Sequence, residues 1–356
     1  MQILEAEMES GFQVKNSPYR KWQAAESIPV YKGSWADLRS LETAPWSRIG
    51  QRGAFVNLAG QEHDDGWLIE LTPGGQTAEL HHFFEASIYV LEGRGATTFW
   101  NEGGPKQTVE WQRGSLFAPP LNCYYQHFNL DGGQPAKLFC VTVGPMAINL
   151  FRSVDAVFNN PYVFSDRYAG EQDYFSAPGE MIEGTWKTNF IPDLRAFTLA
   201  GDHNRGLGAS SARFVLSNNS MGTHCSEFPP GTYKQAHRHG SGAHVIILDG
   251  DGYSLLWFEG DRERRRVDWR DGTVLSPEAG EYHQHFNLSP RPARYVALRL
   301  GNLDLHRPPP GTLWSTAQEM AGIPYDDEDP EIYDTYVRQC AEHGAKVVLP
   351  RPSYRS

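Results

Sequence analysis

The chain has 356 residues, 40% of them hydrophobic and 21% charged, which is typical of a globular protein with about two domains. A formal net charge of -11 excludes nucleic acid as a partner, because no basic excess is present to neutralise phosphates. No stretch of about 18 apolar residues occurs and the N-terminus has no secretion-signal pattern, so we expect no membrane span and a cytoplasmic location. Four cysteines without C-x-x-C spacing predict buried free thiols.

Residues 1–48 predict an N-terminal arm with short helices. A domain over 49–148 follows, in which strand-sized runs alternate with the turn residues Gly, Pro, Asn and Asp. We predict its strands over 87–92, 95–101, 106–111, 114–118, 124–130 and 136–143. Residues 149–205 are too long for a plain loop, and we expect this linker to carry short helices.

A second strand-rich domain is predicted over 206–303. Its strands are expected over 243–249, 252–258, 264–269, 272–276, 282–288 and 293–300. The tail, 304–356, contains a helical pattern over 330–344. No strand–helix–strand alternation is present, so the sequence predicts an all-β protein and not a parallel sheet.

The two strand-rich domains repeat each other at an offset of about 157 residues. The pentapeptide Gln-His-Phe-Asn-Leu of 126–130 returns intact at 284–288, and Trp100 and Trp111 return as Trp257 and Trp269. The offset slips to 158 midway, as one inserted loop residue would produce. The chain is therefore predicted to contain two similar β-sandwiches or barrels in tandem.

Histidines with metal-ligand spacing occur in the second copy. His237 and His239 are two residues apart, so on a strand their side chains point to the same face. The next predicted strand begins near His244, and His283 comes from a more distant one. Neutral imidazole suits iron, manganese, nickel, copper and zinc, so we predict one divalent metal ion per chain.

This pattern resembles the cupin superfamily, whose two motifs are G-x5-H-x-H-x3-4-E-x6-G and G-x5-P-x-G-x2-H-x3-N. Gly231, His237, His239, His283 and Asn287 fall on family positions. The resemblance covers both copies, about two-thirds of the chain. It implies two tandem double-stranded β-helix, jelly-roll-like barrels, with the metal held in the wide mouth of the C-terminal one.

The second copy departs from the motif at the glutamate, whose position we assign to His244. His244 is expected to be a fourth ligand; if it stands aside, three histidines remain. In either case the ion has only neutral protein ligands, which favours an anionic or bidentate substrate. His285 is expected to lie behind the ligands as a hydrogen-bonding core residue, and Trp257 to pack near them.

The first copy lacks most of these ligands. The repeat offset places Leu80, His82, Ser87 and Tyr125 at the positions of His237, His239, His244 and His283. Only one of the four is a histidine, so the N-terminal domain is predicted to have lost its metal site. His127 is retained opposite His285, which indicates a structural role for both.

The resemblance implies a non-haem Fe(II) dioxygenase that acts on O2 and a small chelating phenolic or carboxylate substrate, loosely similar to gentisate and salicylate dioxygenases. One alternative is an isomerase, lyase or hydrolase that uses Mn, Zn or Ni as a Lewis acid. A second is a non-catalytic small-molecule-binding bicupin. Glu281 and Tyr282 are candidates for proton transfer, with Arg238 and Glu278 beside them at the mouth. The resemblance also implies a homo-oligomer.

Overall fold

The structure is a computed structural model that describes residues 17–201, 206–238, 243–300 and 322–354. The helices are α1 (Pro18–Ala25), α2 (Gly144–Phe151), α3 (Val154–Phe158) and α4 (Pro330–Glu342). Among the described residues, no helix is long and apolar enough to cross a membrane.

The first half of the chain supplies the strands β1 (Val30–Gly33), β2 (Trp35–Asp37), β3 (Ala44–Trp46), β4 (Gln51–Leu58), β5 (Asp65–Leu71), β6 (Ala86–Glu92), β7 (Arg94–Trp100), β8 (Gln107–Gln112), β9 (Leu116–Phe117), β10 (Tyr124–Asn129) and β11 (Ala136–Thr142). The linker and the second half supply β12 (Glu180–Ile182), β13 (Thr185–Thr188), β14 (Phe190–Ile191), β15 (Ala200–Gly201), β16 (Ser210–Leu216), β17 (Gly222–Phe228), β18 (His244–Asp249), β19 (Asp251–Trp257), β20 (Arg265–Arg270), β21 (Thr273–Leu275), β22 (Tyr282–Asn287) and β23 (Ala293–Arg299).

The strands form two jelly-roll-like sandwiches, each with one large and one three-stranded sheet. In the N-terminal sandwich, the large sheet has the order β1-β4-β5-β11-β6-β9-β14, with β3 beside β4, and it faces the sheet β10-β7-β8. In the C-terminal sandwich, the order is β12-β13-β16-β17-β23-β18-β21-β2, with β15 beside β16, and it faces β20-β19-β22. The linker strand β14 thus joins the first sandwich, and β2 of the arm joins the second.

The two large sheets pack against each other, back to back. Ile246 on β18 and Val296 and Leu298 on β23 belong to the same apolar cluster as the core of the N-terminal sandwich. Their sequence neighbours Val245 and Ala297 point the other way, into the C-terminal sandwich. Each of these strands therefore separates two cores, and alternation decides which core a residue enters.

The predicted fold is confirmed in its main elements. All twelve predicted strands of the two copies occur with ends within two residues of the prediction, and α4 begins at the predicted Pro330. The other strands of the large sheets, β1 to β5 and β12 to β17, were not predicted. The four cysteines are free and buried, as expected.

A hydrogen-bonded group of three side chains, one from each strand of the three-stranded sheet, recurs in both copies. In the second copy the indole N–H of Trp269 donates to Ser254 Oγ at 3.0 Å, and Ser254 Oγ lies 2.7 Å from His285 Nδ1. The first copy has the same group with threonine in place of serine. Trp111 donates to Thr97 Oγ1 at 2.9 Å, and Thr97 Oγ1 lies 2.7 Å from His127 Nδ1. The predicted structural role of these two histidines therefore has a geometric basis in both sandwiches.

Replacing the central hydroxyl in the first copy should destabilise the protein. Thr97→Val leaves the buried Trp111 and His127 nitrogens without this partner, at a cost of about 1–3 kcal/mol. Thr98→Val is the matched control, because the Thr98 hydroxyl bonds to that of Thr108 on the exposed side of β7, and it should change stability by less than about 0.5 kcal/mol. Urea unfolding checks both values, and equal losses in the two variants would contradict the assignment.

Candidate metal centre

The segment that carries His237 lies along β22 through an irregular pairing. Tyr233 pairs with Phe286, but His237 pairs with His283, so one extra residue lies between the two bridges. Such a bulge shifts the side-chain alternation by one position. Lys234 and His237, although three residues apart, consequently both face the interior of the C-terminal sandwich.

His237 and His283 lie side by side in this interior. Their ring centroids are 4.2 Å apart. His237 Nδ1 is 3.2 Å from the backbone oxygen of Gln235, and His283 Nδ1 is 3.3 Å from that of Glu281. A carbonyl oxygen only accepts, so each Nδ1 carries the proton and each Nε2 keeps the lone pair that a metal ion needs. The two rings fit a divalent metal.

The third predicted ligand, His239, lies outside the described residues. Among the residues that the structure describes, no three His, Cys, Asp or Glu side chains form a group that could hold a metal ion. His237 and His283 are therefore the two residues of the predicted set that the structure brings together. His239 stays a prediction, based on its spacing of two residues from His237.

His285 lies one level deeper than this pair. Its ring centroid is 5.5 Å from that of His283 and 5.2 Å from that of Tyr295. Ser254 Oγ accepts from the Trp269 indole N–H and shares a hydrogen bond with His285 Nδ1. This contact ties His285 to the hydrogen-bonded group of Ser254 and Trp269, which agrees with its predicted structural role.

A polar layer lies beside His285, across the interior of the sandwich. The amine of Lys234, whose residue is 1% exposed, donates to Ser226 Oγ and, over 3.1 Å, to Tyr295 OH. Ser226 and Tyr295 are cross-strand partners on β17 and β23. His224, two residues before Ser226, has its ring centroid 6.0 Å from that of Tyr295. Sequence analysis missed this layer.

The equivalent layer of the first copy is largely apolar. The strand registers place Leu138 at Tyr295 and Ile69 at Ser226, and the offset places Thr77 at Lys234. The bridge of Leu80 with Tyr125 reproduces that of His237 with His283. Aligning the strands of the two copies could thus have identified the polar layer. The alignment shows the positions at which interior residues are apolar in the first copy and polar in the second.

The surviving first-copy histidine has its nitrogens occupied by protein groups. His82 Nδ1 lies 2.8 Å from the Phe84 backbone oxygen, and Nε2 lies 2.7 Å from Tyr125 OH. Burial lowers its pKa to about 3, which keeps the ring neutral. His81, which is one residue out of phase with Leu80 and His82, stacks on Tyr124. The contacts of His82 and His81 are consistent with a lost site in the N-terminal sandwich.

The structure separates His244 from the other predicted ligands. His244 lies on the same face of β18 as Ile246, which is in the core between the two sandwiches, and it is fully buried. Its neighbour Ala243 faces the C-terminal interior with Val245. The cupin motif has six residues between its glutamate and its glycine, and counting back from Gly250 leads to Ala243. The motif carboxylate is therefore replaced by a methyl group, and our assignment of His244 placed it one residue too late.

His244 instead faces two groups of the other sandwich. Asp64 Oδ1 lies 3.9 Å from His244 Nδ1 and 3.7 Å from His63 Nε2, while its Oδ2 accepts from the Leu300 N–H at 3.0 Å. Burial raises the pKa of Asp64 to about 8 and lowers that of His244 to about 3. Both side chains are thus neutral at pH 7, as burial between two apolar sheets requires.

Asp64 should make the protein less stable as the pH rises. Its folded pKa is raised above that of the unfolded chain, about 3.9, so its contribution is fully present below that value and is lost as the pH rises toward about 8. Asp64→Asn keeps an acceptor for Leu300 without a charge. We expect the variant to melt at a progressively higher temperature than the wild type between pH 5 and pH 8, and parallel melting curves would contradict this.

The other predicted residues lie away from the histidine pair. Glu281 is buried and accepts from Arg265 at 2.8 Å and from the Glu278 backbone N–H at 2.9 Å, so it anchors the turn before β22. Tyr282 stacks on Trp257 with centroids 5.6 Å apart, on the outer face of the small sheet. Tyr282 does not face the interior, because it is one residue out of phase with the inward-facing His283.

The outer stack also includes Arg238. Its guanidinium lies 4.6 Å from the centre of the Tyr282 ring and donates to Glu259 at 2.9 Å. Burial raises the pKa of Glu278, which lies beside Glu281. The structure thus gives Arg238, Tyr282 and Trp257 a common packing role outside the sandwich.

Comparisons with known proteins support the fold. No family model and no curated protein matches the chain. Solved structures of oxalate decarboxylases do match: the Lactobacillus farciminis enzyme in complex with formate shares 14% identity over 75% of this chain and 86% of its own, with a TM-score of 0.51. A serine-to-alanine variant of the Bacillus subtilis enzyme shares 16% over 75% and 77%, with a TM-score of 0.50. A structure on substrate binding and reaction specificity in oxalate decarboxylase shares 15% over 75% and 77%, also at 0.50.

These structures share the arrangement of two sandwiches with this chain. The fold thus agrees with the bicupin architecture that the motif resemblance implied. The structures named above are of decarboxylases, so they give no support to the expected similarity to gentisate and salicylate dioxygenases. At 14–16% identity they show the shared fold alone.

Proposed function

We propose that the chain is a metal-dependent enzyme that acts on a small anionic substrate in its C-terminal sandwich, by Lewis-acid chemistry of the lyase type. The observation that carries this proposal is the pair His237 and His283, which lie side by side within one sandwich, each with Nδ1 held by a backbone carbonyl. The first copy has Leu80 and Tyr125 in that place. His239 completes the proposed ligand set.

The identity of the ligands supports an anionic substrate. Ala243 occupies the position of the motif carboxylate, so three neutral imidazoles would leave the full charge of a divalent ion to be balanced by the substrate. The missing carboxylate also frees a coordination position and space. When bound, the ion supplies a Lewis acid that draws electron density from a substrate oxygen.

The residues around the ion have separate tasks in this proposal. His237 and His283 would hold the ion through Nε2, and His285, fixed by Ser254 at 2.7 Å, supports the pair from the adjacent position on β22. The apolar residues Leu256 and Val245 line the same interior and exclude water from the bound substrate. Decarboxylation, the activity named for the structural neighbours, belongs to the proposed reaction class.

Metal content tests the proposed site. Protein purified without added metal, then loaded with Mn(II) and desalted, should hold about one ion per chain. Mn(II) is a suitable first metal because the Bacillus subtilis oxalate decarboxylase is described as having Mn(II) centres. His237→Ala and His283→Ala should each lose most of the ion, as measured by plasma mass spectrometry.

His81→Ala is the matched control, because His81 is a histidine next to the corresponding position of the first copy and stacks on Tyr124 outside the interior. It should keep the wild-type metal content. Full metal retention in His237→Ala, or equal loss in all three variants, would overturn the proposed site.

The Fe(II) dioxygenase implied by the sequence resemblance uses the same ligands, since imidazole also suits iron. Oxygen uptake separates the two reactions. Protein loaded with Mn(II) or Fe(II) is offered small carboxylic and phenolic acids in an oxygen-electrode cell. Product formation without oxygen consumption supports the lyase, whereas one O2 consumed per product would replace it with the dioxygenase.

A further inference from the structure

Lys234 is a buried lysine that the fold does not explain. It is 1% exposed, and its Nζ lies 4.8 Å from the centre of the Tyr295 ring and 5.4 Å from that of Phe228. Its side chain crosses the interior from the segment beside β22 to Ser226 and Tyr295 on the opposite sheet. Lysine is among the residues least often buried, because its charged form is costly to remove from water.

The backbone at this position does not require a lysine. The Lys234 N–H donates to the His285 carbonyl at 2.9 Å, and the Thr77 N–H donates to the His127 carbonyl at the same distance in the first copy. The same backbone position thus holds threonine in one sandwich and lysine in the other. A structural need of the fold would be expected to apply to both.

Two classes of residue emerge when the interiors are compared. The group Trp269, Ser254 and His285 is kept in the first copy, with Thr97 in place of the serine. The metal ligands and the polar layer change together, and the first copy has Leu80, Tyr125, Thr77, Ile69 and Leu138 in place of His237, His283, Lys234, Ser226 and Tyr295. The polar layer therefore occurs in the copy that has the histidine pair, and the shared fold does not require it.

The polar layer forms a floor below the histidine pair. Lys234 and His237 face the same interior, and His285 connects the two levels, with its ring 6.4 Å from that of His237 and 5.2 Å from that of Tyr295. The hydroxyl oxygens of Ser226 and Tyr295 accept hydrogen bonds from the lysine amine. An amine held in this way is suited to bind a carboxylate or another oxyanion.

We propose that Lys234, positioned by Ser226 and Tyr295, binds an anionic group of the substrate, so that the enzyme selects acids with a carboxylate in addition to the metal-binding group. This inference rests on the proposed function, because it assigns the substrate class of the same site. It makes Lys234 a substrate-binding residue and Ser226 and Tyr295 positioning residues.

The test measures binding of defined probes to Lys234→Met, which keeps the length of the side chain and removes its charge. Malonate serves as the dicarboxylate probe and imidazole as a neutral metal-binding probe. Both are titrated into Co(II)-loaded protein, whose visible spectrum reports on the metal. Malonate is also titrated into metal-free protein by calorimetry.

We expect Lys234→Met to keep its Co(II) and its imidazole affinity, and to bind malonate at least about 10-fold more weakly than wild type, as the loss of a charged hydrogen bond predicts. Unchanged malonate affinity in the variant, or no malonate binding by the wild type in either form, would overturn the role of Lys234. Failure to bind Co(II) would overturn the proposed function, while the calorimetry would still report on Lys234.

A second variant separates a loss of malonate binding from a loss of folding. Lys234→Thr installs the residue that the first copy carries in the same backbone position, where Thr77 is compatible with the fold. It should melt near the wild-type temperature and show the same loss of malonate binding as Lys234→Met. Equal weakening of malonate and imidazole in a folded Lys234→Thr protein would indicate a structural role only and would overturn the proposal.

Discussion

Each large sheet of this protein has a core on both faces, and the two-residue period of its strands decides which core receives a side chain. On β18, Val245 enters the C-terminal sandwich while His244 and Ile246 enter the core between the sandwiches. No residue on these strands can serve both cores. A shift of one residue moves a histidine from the site to a buried place beside Asp64, where it must remain neutral.

The same constraint explains how much the sequence could predict. The repeat defined the strands that differ little between copies, but β4, β5, β16 and β17 were missed because the copies diverge there. His237 and His283 were found from their spacing and do lie together. Tyr282 was chosen for its proximity to His283 in the sequence, which on a strand places it on the opposite face.

Other parts of the site depended on information that the motif does not carry. The motif allows three or four residues before its glutamate, and only the distance to Gly250 distinguishes Ala243 from His244. Lys234 comes into phase with His237 through a bulge, which no simple alternation predicts. Ser226 and Tyr295 become recognisable only when their partners Ile69 and Leu138 are known from strand pairing.

The pairing of β2 with β21 has a consequence for how the chain is made. Residues 35–37 leave the ribosome early, but their partners at 273–275 are synthesised far later. The strand β2 therefore joins the second sandwich only after β21 has been synthesised, and Ala36 is buried when the two strands pair. Cutting the gene between the sandwiches would separate this strand from its sheet, so the two halves are a single unit of biosynthesis although each repeats the other.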